Sequence, residues 1–232
     1  MEAYEARPNA VTWGVAAPRS AQWLAAAEAV GVFLSIVLYI WWLRPYAPAA
    51  WTAIPALLLA SHAYRGETPA ALGFRRDDFR SSARVCAAPL LALAATLSAA
   101  AVVLGTVREV TLPRAAAFVA YYCLWGLVQQ YALNGYFTNR IRTSAPSARA
   151  PWVALGAATL FGLVHTPNLF LMGVTFVTGY LSALIYLRYR NLYVLGIAHG
   201  LIGALLYWIV PVTVSHYFYV GPRAFQWQSA LW

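Results

Sequence analysis

The chain has 232 residues, of which 62% are hydrophobic and 10% are charged, and its mean hydropathy is +0.61. Because a soluble domain carries about 25% charged residues, this composition excludes an ordinary soluble domain and indicates a polytopic membrane protein. The sixteen basic residues behind the net charge of +9 are all arginines. They lie between apolar runs, so membrane topology explains them better than nucleic-acid binding.

The apolar runs predict the transmembrane helices, since each crossing needs about 20 apolar residues. In chain order, the predicted helices cover residues 21–43, 47–64, 83–106, 114–138, 151–166, 169–187 and 191–211. The aromatic tail, residues 212–232, predicts an interfacial segment or a short eighth helix. We therefore expect an all-α transmembrane bundle of about seven to eight helices.

The ends of the chain and its arginines predict an orientation. Residues 1–20 are polar and lack the apolar core of a signal peptide, so we expect an uncleaved cytoplasmic segment. Residues 21–232 then form a single transmembrane domain. With the N-terminus inside, the cytoplasmic segments hold twelve arginines and the outer segments hold four, which is the bias of the positive-inside rule. We expect a multi-pass protein of the cell (inner) membrane, and the lysine-free, alanine-rich composition indicates a bacterial source.

The fifth predicted helix is unusually short. It meets Pro167 just after His165, and about 15 residues at 1.5 Å each give only about 22 Å, less than a ~30 Å hydrocarbon core. We therefore expect kinked or unwound backbone over residues 165–168. Irregular backbone at membrane depth is tolerated only beside protein or a water-filled cavity, so this feature predicts a wet pocket beside His165.

Polar side chains cluster in three of the apolar helices, where each costs several kcal/mol unless it finds a partner. The clusters are Gln129, Gln130 and Asn134 in the fourth helix, Phe161 and His165 in the fifth, and His199 in the seventh. Gln130 and Asn134 share one helix face because they are four residues apart. Counting residues places Gln129 and His199 at a similar depth, about 12 Å from the inner ends of their helices. We expect one common polar site between the fourth, fifth and seventh helices.

Structural roles are the alternative for each of these residues. Amide side chains often serve as interhelical contacts worth about 1 kcal/mol or less, and a single membrane histidine is commonly a packing residue. Glu28 is expected to snorkel or to pair with an arginine. His62 is near the end of a predicted helix, where we expect an interfacial position.

The order of the polar clusters resembles a known family, the CPBP (CAAX-protease and bacteriocin-processing, or Abi) intramembrane endopeptidases. This family includes the type II CAAX prenyl endopeptidases, and its late helices carry the motifs EExxxR-G, FxxxH and HxxxN. Gln129 and Gln130 fall on the glutamate pair, and Asn134 falls on the arginine. The resemblance covers about residues 65–222.

The two histidine motifs match the family more closely than the glutamate motif does. Phe161 to His165 matches FxxxH, and His199 to Gly203 falls on HxxxN with glycine in place of asparagine. The resemblance implies hydrolysis of a peptide bond near the cytoplasmic face, in a membrane-anchored peptide or protein. The expected partners are this substrate and the lipid bilayer, and no nucleic acid is expected. It implies His165, His199, Gln129 and Gln130 as catalytic residues and Asn134, Phe161 and Asn168 as substrate-binding residues.

The absence of both glutamates leaves two interpretations open, besides the entry of another acid such as Glu28, which nothing in the sequence places beside the histidines. A carboxylate can take a proton from water and an amide cannot, and losing a well-placed acid or base typically costs a factor of 10²–10⁴ in rate. In the first interpretation a neutral histidine is the base, and a glutamine N–H stabilises the oxyanion. In the second, catalysis is lost and the same cavity binds a membrane peptide or lipid in a scaffold, immunity or maturation role.

No cofactor is assigned for either interpretation, and zinc stays an open alternative. A catalytic zinc ion requires three protein ligands, whereas His165 and His199 supply two. A zinc ion would therefore be under-liganded. A transporter is a weaker alternative, since no inverted repeat supports it.

Overall fold

The computed structural model describes residues 18–226, and every regular element in this range is helical. The predicted all-α class is therefore confirmed. The predicted N-terminal segment, residues 1–20, lies almost entirely outside the described residues, as do Trp227 and Trp232 of the aromatic tail.

The first half of the described chain contains four α-helices. They are α1 (Arg19–Leu38), which continues as a π-helical turn (Tyr39–Leu43); α2 (Ala53–Tyr64), which follows a 3₁₀ turn (Pro48–Thr52); α3 (Pro69–Leu72); and α4 (Phe79–Val103).

The second half contains the segments that carry the predicted site. They are α5 (Leu112–Gln130), the π-helical segment (Tyr131–Thr138), α6 (Asn139–Ser144), α7 (Ala150–Leu163), α8 (Leu169–Tyr189), α9 (Leu192–Ile209) and α10 (Val212–Ser215). Two short 3₁₀ turns follow, at His216–Phe218 and Gly221–Phe225.

Four described helices are long and apolar enough to cross a membrane: Arg19–Leu43, Phe79–Val103, Leu169–Tyr189 and Leu192–Ile209. Helix α5 is long enough at 19 residues but is less apolar, and α7 is apolar but has only 14 residues. The protein is thus a helical membrane protein. The count of seven to eight crossings stays a prediction.

The fourth predicted helix continues further than expected. The prediction ended it at residue 138, whereas helical backbone runs through the π-helical segment and α6 to Ser144. Asn139 and Arg140 are buried rather than placed in a loop. Because their polar groups find partners inside the protein, the helix does not have to end where the sequence becomes polar.

The fifth predicted helix is short, as expected. Helix α7 ends at Leu163, and residues 164–167 form turns before α8 begins. Asn168 caps α8 by accepting a hydrogen bond from the Leu171 N–H at 3.1 Å. Its amide N–H groups donate to the carbonyls of Ser215 and Tyr219 at 2.9 and 3.1 Å, so the C-terminal turns are held against the irregular segment.

Close contact between α5 and α9 depends on glycine. A Cβ atom at Gly196 would lie 2.8 Å from the Leu127 Cα, and a Cβ atom at Gly200 would fall on the Cys123 backbone. A Cβ atom at Gly126 would lie 2.6 Å from the Gly196 carbonyl oxygen. Small residues let membrane helices approach closely, and this approach sets the end of α5 against the turn of α9 that carries His199.

Candidate functional site

The end of α5 and the π-helical segment carry a chain of hydrogen-bonded amides that reaches α9. Asn134 Nδ2 donates to Gln130 Oε1 at 2.6 Å, and Gln130 Nε2 lies 3.2 Å from His199 Nδ1. Asn134 also contacts Ser182 Oγ of α8 at 3.4 Å, and its own oxygen accepts from Thr138 Oγ1 at 3.0 Å. Three helices therefore meet at this polar chain, which will be called the amide chain.

The direction of these hydrogen bonds assigns the ring proton of His199. Because Gln130 Oε1 accepts from Asn134, the group that faces His199 is the amide nitrogen, which only donates. Nδ1 of His199 must therefore accept, and a neutral ring then carries its proton on Nε2. His199 is thus set up as a hydrogen-bond donor through Nε2.

His165 has the opposite arrangement. Its Nδ1 lies 2.7 Å from the backbone carbonyl oxygen of Phe161. A carbonyl oxygen can only accept, so Nδ1 carries the proton and Nε2 keeps the lone pair in the neutral ring. Within residues 18–226, no hydrogen bond occupies this nitrogen, so His165 is set up as a proton acceptor.

Phe161 links the two imidazoles. Its ring centroid lies 5.1 Å from that of His165, in an edge-to-face arrangement, and 6.0 Å from that of His199. The side chain is 8% exposed and packs among residues of α7, α8 and the π-helical segment. Both histidines are half-buried beside it, and their catalytic roles stay a prediction.

Three other predicted positions differ in what they contact. Gln129 is half-buried and makes no hydrogen bond to any described residue. Both polar groups of Asn168 are used in capping α8 and holding the C-terminal turns, so its substrate-binding role stays a prediction. Gly203, at the position of the family's asparagine, packs on Tyr122, whose ring a Cβ atom would approach to 2.8 Å.

The donor set does not fit a metal ion. No group of three or more His, Cys, Asp or Glu side chains suitable for a metal occurs within the described part of the chain. At the candidate site, the polar side chains near His199 are amides and hydroxyls, and amide oxygens are poor ligands for zinc.

A second buried polar cluster was missed by the sequence analysis. Arg140 is fully buried and binds Glu28 through Nε at 2.9 Å and Glu67 through both Nη atoms at 2.8 Å. It also donates to Ser61 Oγ at 2.9 Å, and Arg65 completes the shell of Glu28 at 3.1 Å. We call these five residues the arginine cluster. Glu28 pairs with arginine, which is one of the two roles expected for it. No feature of the sequence, however, distinguishes Arg140 among the sixteen arginines.

His62 is buried beside the arginine cluster. It is 4% exposed, and its Nδ1 lies 2.5 Å from Glu67 Oε2, whereas its interfacial depth stays a prediction. Burial raises the pKa of Glu67, but hydrogen bonds from His62 and Arg140 outweigh that effect and lower the pKa to about 2. The carboxylate is therefore charged under ordinary conditions, and it ties the turn after α2 to α6.

Comparison with protein families agrees with the motifs. Residues 110–205 match the family model for type II CAAX prenyl endopeptidases, described as Rce1-like. This stretch is shorter than the residues 65–222 predicted from the motifs, but it includes every residue predicted for the site. The predicted resemblance is thus confirmed over α5 to α9. Neither a curated protein nor a solved structure matches the chain.

Proposed function

We propose that the protein is an intramembrane endopeptidase of the CAAX type that hydrolyses a peptide bond in a membrane-anchored substrate near the cytoplasmic face. The observation that carries the proposal is the complementary arrangement of the two histidines. One ring nitrogen is left with a lone pair at His165, and one is left with a proton at His199. Amide hydrolysis needs one group of each kind.

The proposed reaction uses these groups in turn. His165 Nε2 takes a proton from water as the water oxygen attacks the scissile carbonyl carbon. The resulting oxyanion accepts hydrogen bonds from His199 Nε2–H and from the remaining N–H of Gln130. His165 then returns the proton to the leaving amide nitrogen, and the C–N bond breaks to give a carboxylic acid and an amine.

Because glutamine side chains cannot act as a general base, a histidine takes that role in the proposed mechanism. An amide at Gln130 cannot take a proton, but it can donate one hydrogen bond to His199 and another to the oxyanion. It fixes the proton on the distal nitrogen of His199 by occupying Nδ1. We expect Gln129, which is free of hydrogen bonds to described residues, to contact the substrate instead of the amide chain.

The test is cleavage of membrane-anchored peptides by purified protein in detergent, followed by mass spectrometry. We expect His165→Ala to lower kcat by about 10²–10⁴, the usual value of a general base. His199→Ala should lower kcat by about 10²–10³, the usual loss of one oxyanion donor. His216→Ala, in the C-terminal turns, is the control and should cleave like the unmodified chain. Undiminished activity in either site variant would remove that histidine from the mechanism.

One observation favours a second candidate, a non-catalytic member that holds a membrane peptide at the same site. No carboxylate takes part in the amide chain, and Gln130, Asn134 and Thr138 satisfy one another without a substrate. This candidate predicts that a peptide carrying a photo-crosslinker is retained and recovered intact. Recovery of its two cleavage products would exclude it.

A further inference from the structure

A groove runs between the N-terminal halves of α4 and α9, and no residue of the amide chain lines it. Its wider part has a volume of about 600 Å³ and is lined by Arg76, Phe79, Arg80, Tyr193 and Ile197. A narrower slot of about 150 Å³ shares Phe79 and Ile197 with it and continues between the two helices. The two spaces therefore form one continuous groove with a basic mouth.

The slot is apolar along its whole length. On α4 it is lined by residues at helical spacing, including Ala83, Ala87 and Leu90, and on α9 by Val194 and Ala198. From Phe79 to Leu90 the helix rises about 16 Å at 1.5 Å per residue. This is about half of a ~30 Å hydrocarbon core, so the slot has the length of one leaflet.

The mouth carries positive charge without acidic partners. Arg76 and Arg80 are exposed, and neither forms an ion pair with another residue in the described range. Of the two neighbouring acids, Asp77 pairs with Arg75, and Asp78 is buried and also acts on Arg75. Two arginines therefore remain available to a ligand at the point where the apolar slot opens.

We propose that this groove binds one anionic phospholipid, with its phosphate between Arg76 and Arg80 and an acyl chain in the slot. The basic mouth matches the negative charge of the lipid headgroup, and the apolar slot matches the length of an acyl chain in one leaflet. A zwitterionic lipid has the same chains but no net charge to match the arginines. The predicted orientation also places these arginines on the cytoplasmic side, where anionic lipids attract basic segments.

The first test is native mass spectrometry of the purified protein with phosphatidylglycerol and phosphatidylcholine of identical acyl chains. We expect the unmodified chain to prefer phosphatidylglycerol. Arg76→Gln with Arg80→Gln should lower its affinity about 30-fold, since each arginine near anionic lipid is worth roughly a factor of five. Phosphatidylcholine binding should not change.

The matched control removes two positive charges at positions outside the groove. Arg114→Gln with Arg149→Gln changes two other exposed arginines that do not line the groove, and it should keep the preference for phosphatidylglycerol. If the groove variant binds as tightly as the unmodified chain, or if both double variants lose the lipid equally, the proposal is wrong.

The second test locates the acyl chain in the unmodified protein with a phosphatidylglycerol that carries a diazirine in its chain. Crosslinks should fall on residues 79–90 and 193–198. Ala87→Trp, which fills the slot, should lower the yield there several-fold, whereas Ala88→Trp, which is exposed and does not line the slot, should not. Crosslinks spread evenly over the lipid-facing helices, or an equal yield from both tryptophan variants, would contradict an acyl-chain slot. Neither test depends on proteolysis.

Discussion

At the scale of single residues, the two imidazoles differ in the nitrogen that carries the proton. Backbone geometry decides it for His165, through the Phe161 carbonyl, and a side chain decides it for His199, through Gln130. A glutamate at position 130 would accept a hydrogen bond from His199 Nδ1–H rather than donate one to it, because a carboxylate only accepts. The glutamine therefore changes the chemistry of the histidine as well as its own.

This assignment predicts a nitrogen-15 spectrum. In protein labelled at histidine, at a pH where both rings are neutral, His165 should show a protonated Nδ1 and His199 a protonated Nε2. Gln130→Leu removes the donor to His199 and should shift that ring alone towards a mixture of tautomers. The same tautomer at both rings in the unmodified chain would contradict the division of roles.

The arginine cluster predicts a large stability effect at one residue. Arg140→Ala removes the shared partner of two half-buried carboxylates, leaving Glu28 with Arg65 and Glu67 with His62. Breaking a fully buried ion pair from one side typically costs about 3–5 kcal/mol, so we expect a loss of roughly 2–3 kcal/mol here. We expect a clear fall in the thermal unfolding midpoint in detergent. Arg149→Ala, at an exposed arginine, should leave the midpoint close to that of the unmodified chain. Equal midpoints for both variants would show that the cluster does not stabilise the fold.

The lowered pKa of Glu67 predicts a pH dependence of stability. The ordinary pKa of a glutamate carboxyl group is 4.5, whereas the pKa of Glu67 in the folded protein is about 2, so the folded state favours the charged form. The contribution of Glu67 to the free energy of unfolding is complete above about pH 4.5 and is lost as the pH falls towards 2. Thermal midpoints measured over this range should fall more steeply for the unmodified chain than for Glu67→Gln. Parallel curves would remove Glu67 from the acid response.

At the scale of elements, the site depends on how closely α5 and α9 approach. Gly200→Ala would place a methyl group on the Cys123 backbone, and overpacking of this kind typically costs about 1–3 kcal/mol. We expect a lower thermal midpoint together with reduced cleavage, because Gln130 and His199 move apart. Gly31→Ala, where nothing lies within 4 Å of the added atom, is the control. A normal midpoint and normal activity in Gly200→Ala would show that the close approach is not required.

The helices themselves could largely be predicted from hydropathy and proline. The short α7 and the irregular backbone after it follow from Pro167 and from the length of the apolar run. The end of the fourth helix could not be predicted, because polar residues at 139 and 140 indicate a loop unless their partners are known. The partners of Arg140, Glu28 and Glu67, are 112 and 73 residues away along the chain, and Asn139 bonds Tyr186, 47 residues away.

Helical spacing predicts which polar residues share a helix face, but not how they are hydrogen-bonded. Residue counting predicts equal depth for Gln129 and His199, whereas the residue that lies 3.2 Å from His199 is Gln130. Spacing does not reveal that Asn134 and Thr138 extend the chain, nor that Asn168 is occupied by the C-terminal turns. Which nitrogen of a histidine is protonated depends on contacts between elements, which periodicity does not contain.

At the scale of the whole molecule, two polar assemblies lie on different faces of one long helical segment. The amide chain faces α8 and α9, whereas Arg140 of α6 binds residues of α1, of α2 and of the turn after it. The first assembly holds no carboxylate, and the second holds two. We expect the arginine cluster to anchor the first two helices, and we expect any chemistry to take place at the histidines.

The most direct test of this account is whether the unmodified chain cleaves a membrane-anchored peptide. The measurement is the product yield by mass spectrometry for the unmodified chain and for the chain with Gln129→Glu and Gln130→Glu, at equal folded protein. The account predicts products from the unmodified chain that are lost in His165→Ala. Cleavage that appears only after both glutamates are introduced would contradict it and would favour a peptide-binding protein without catalysis.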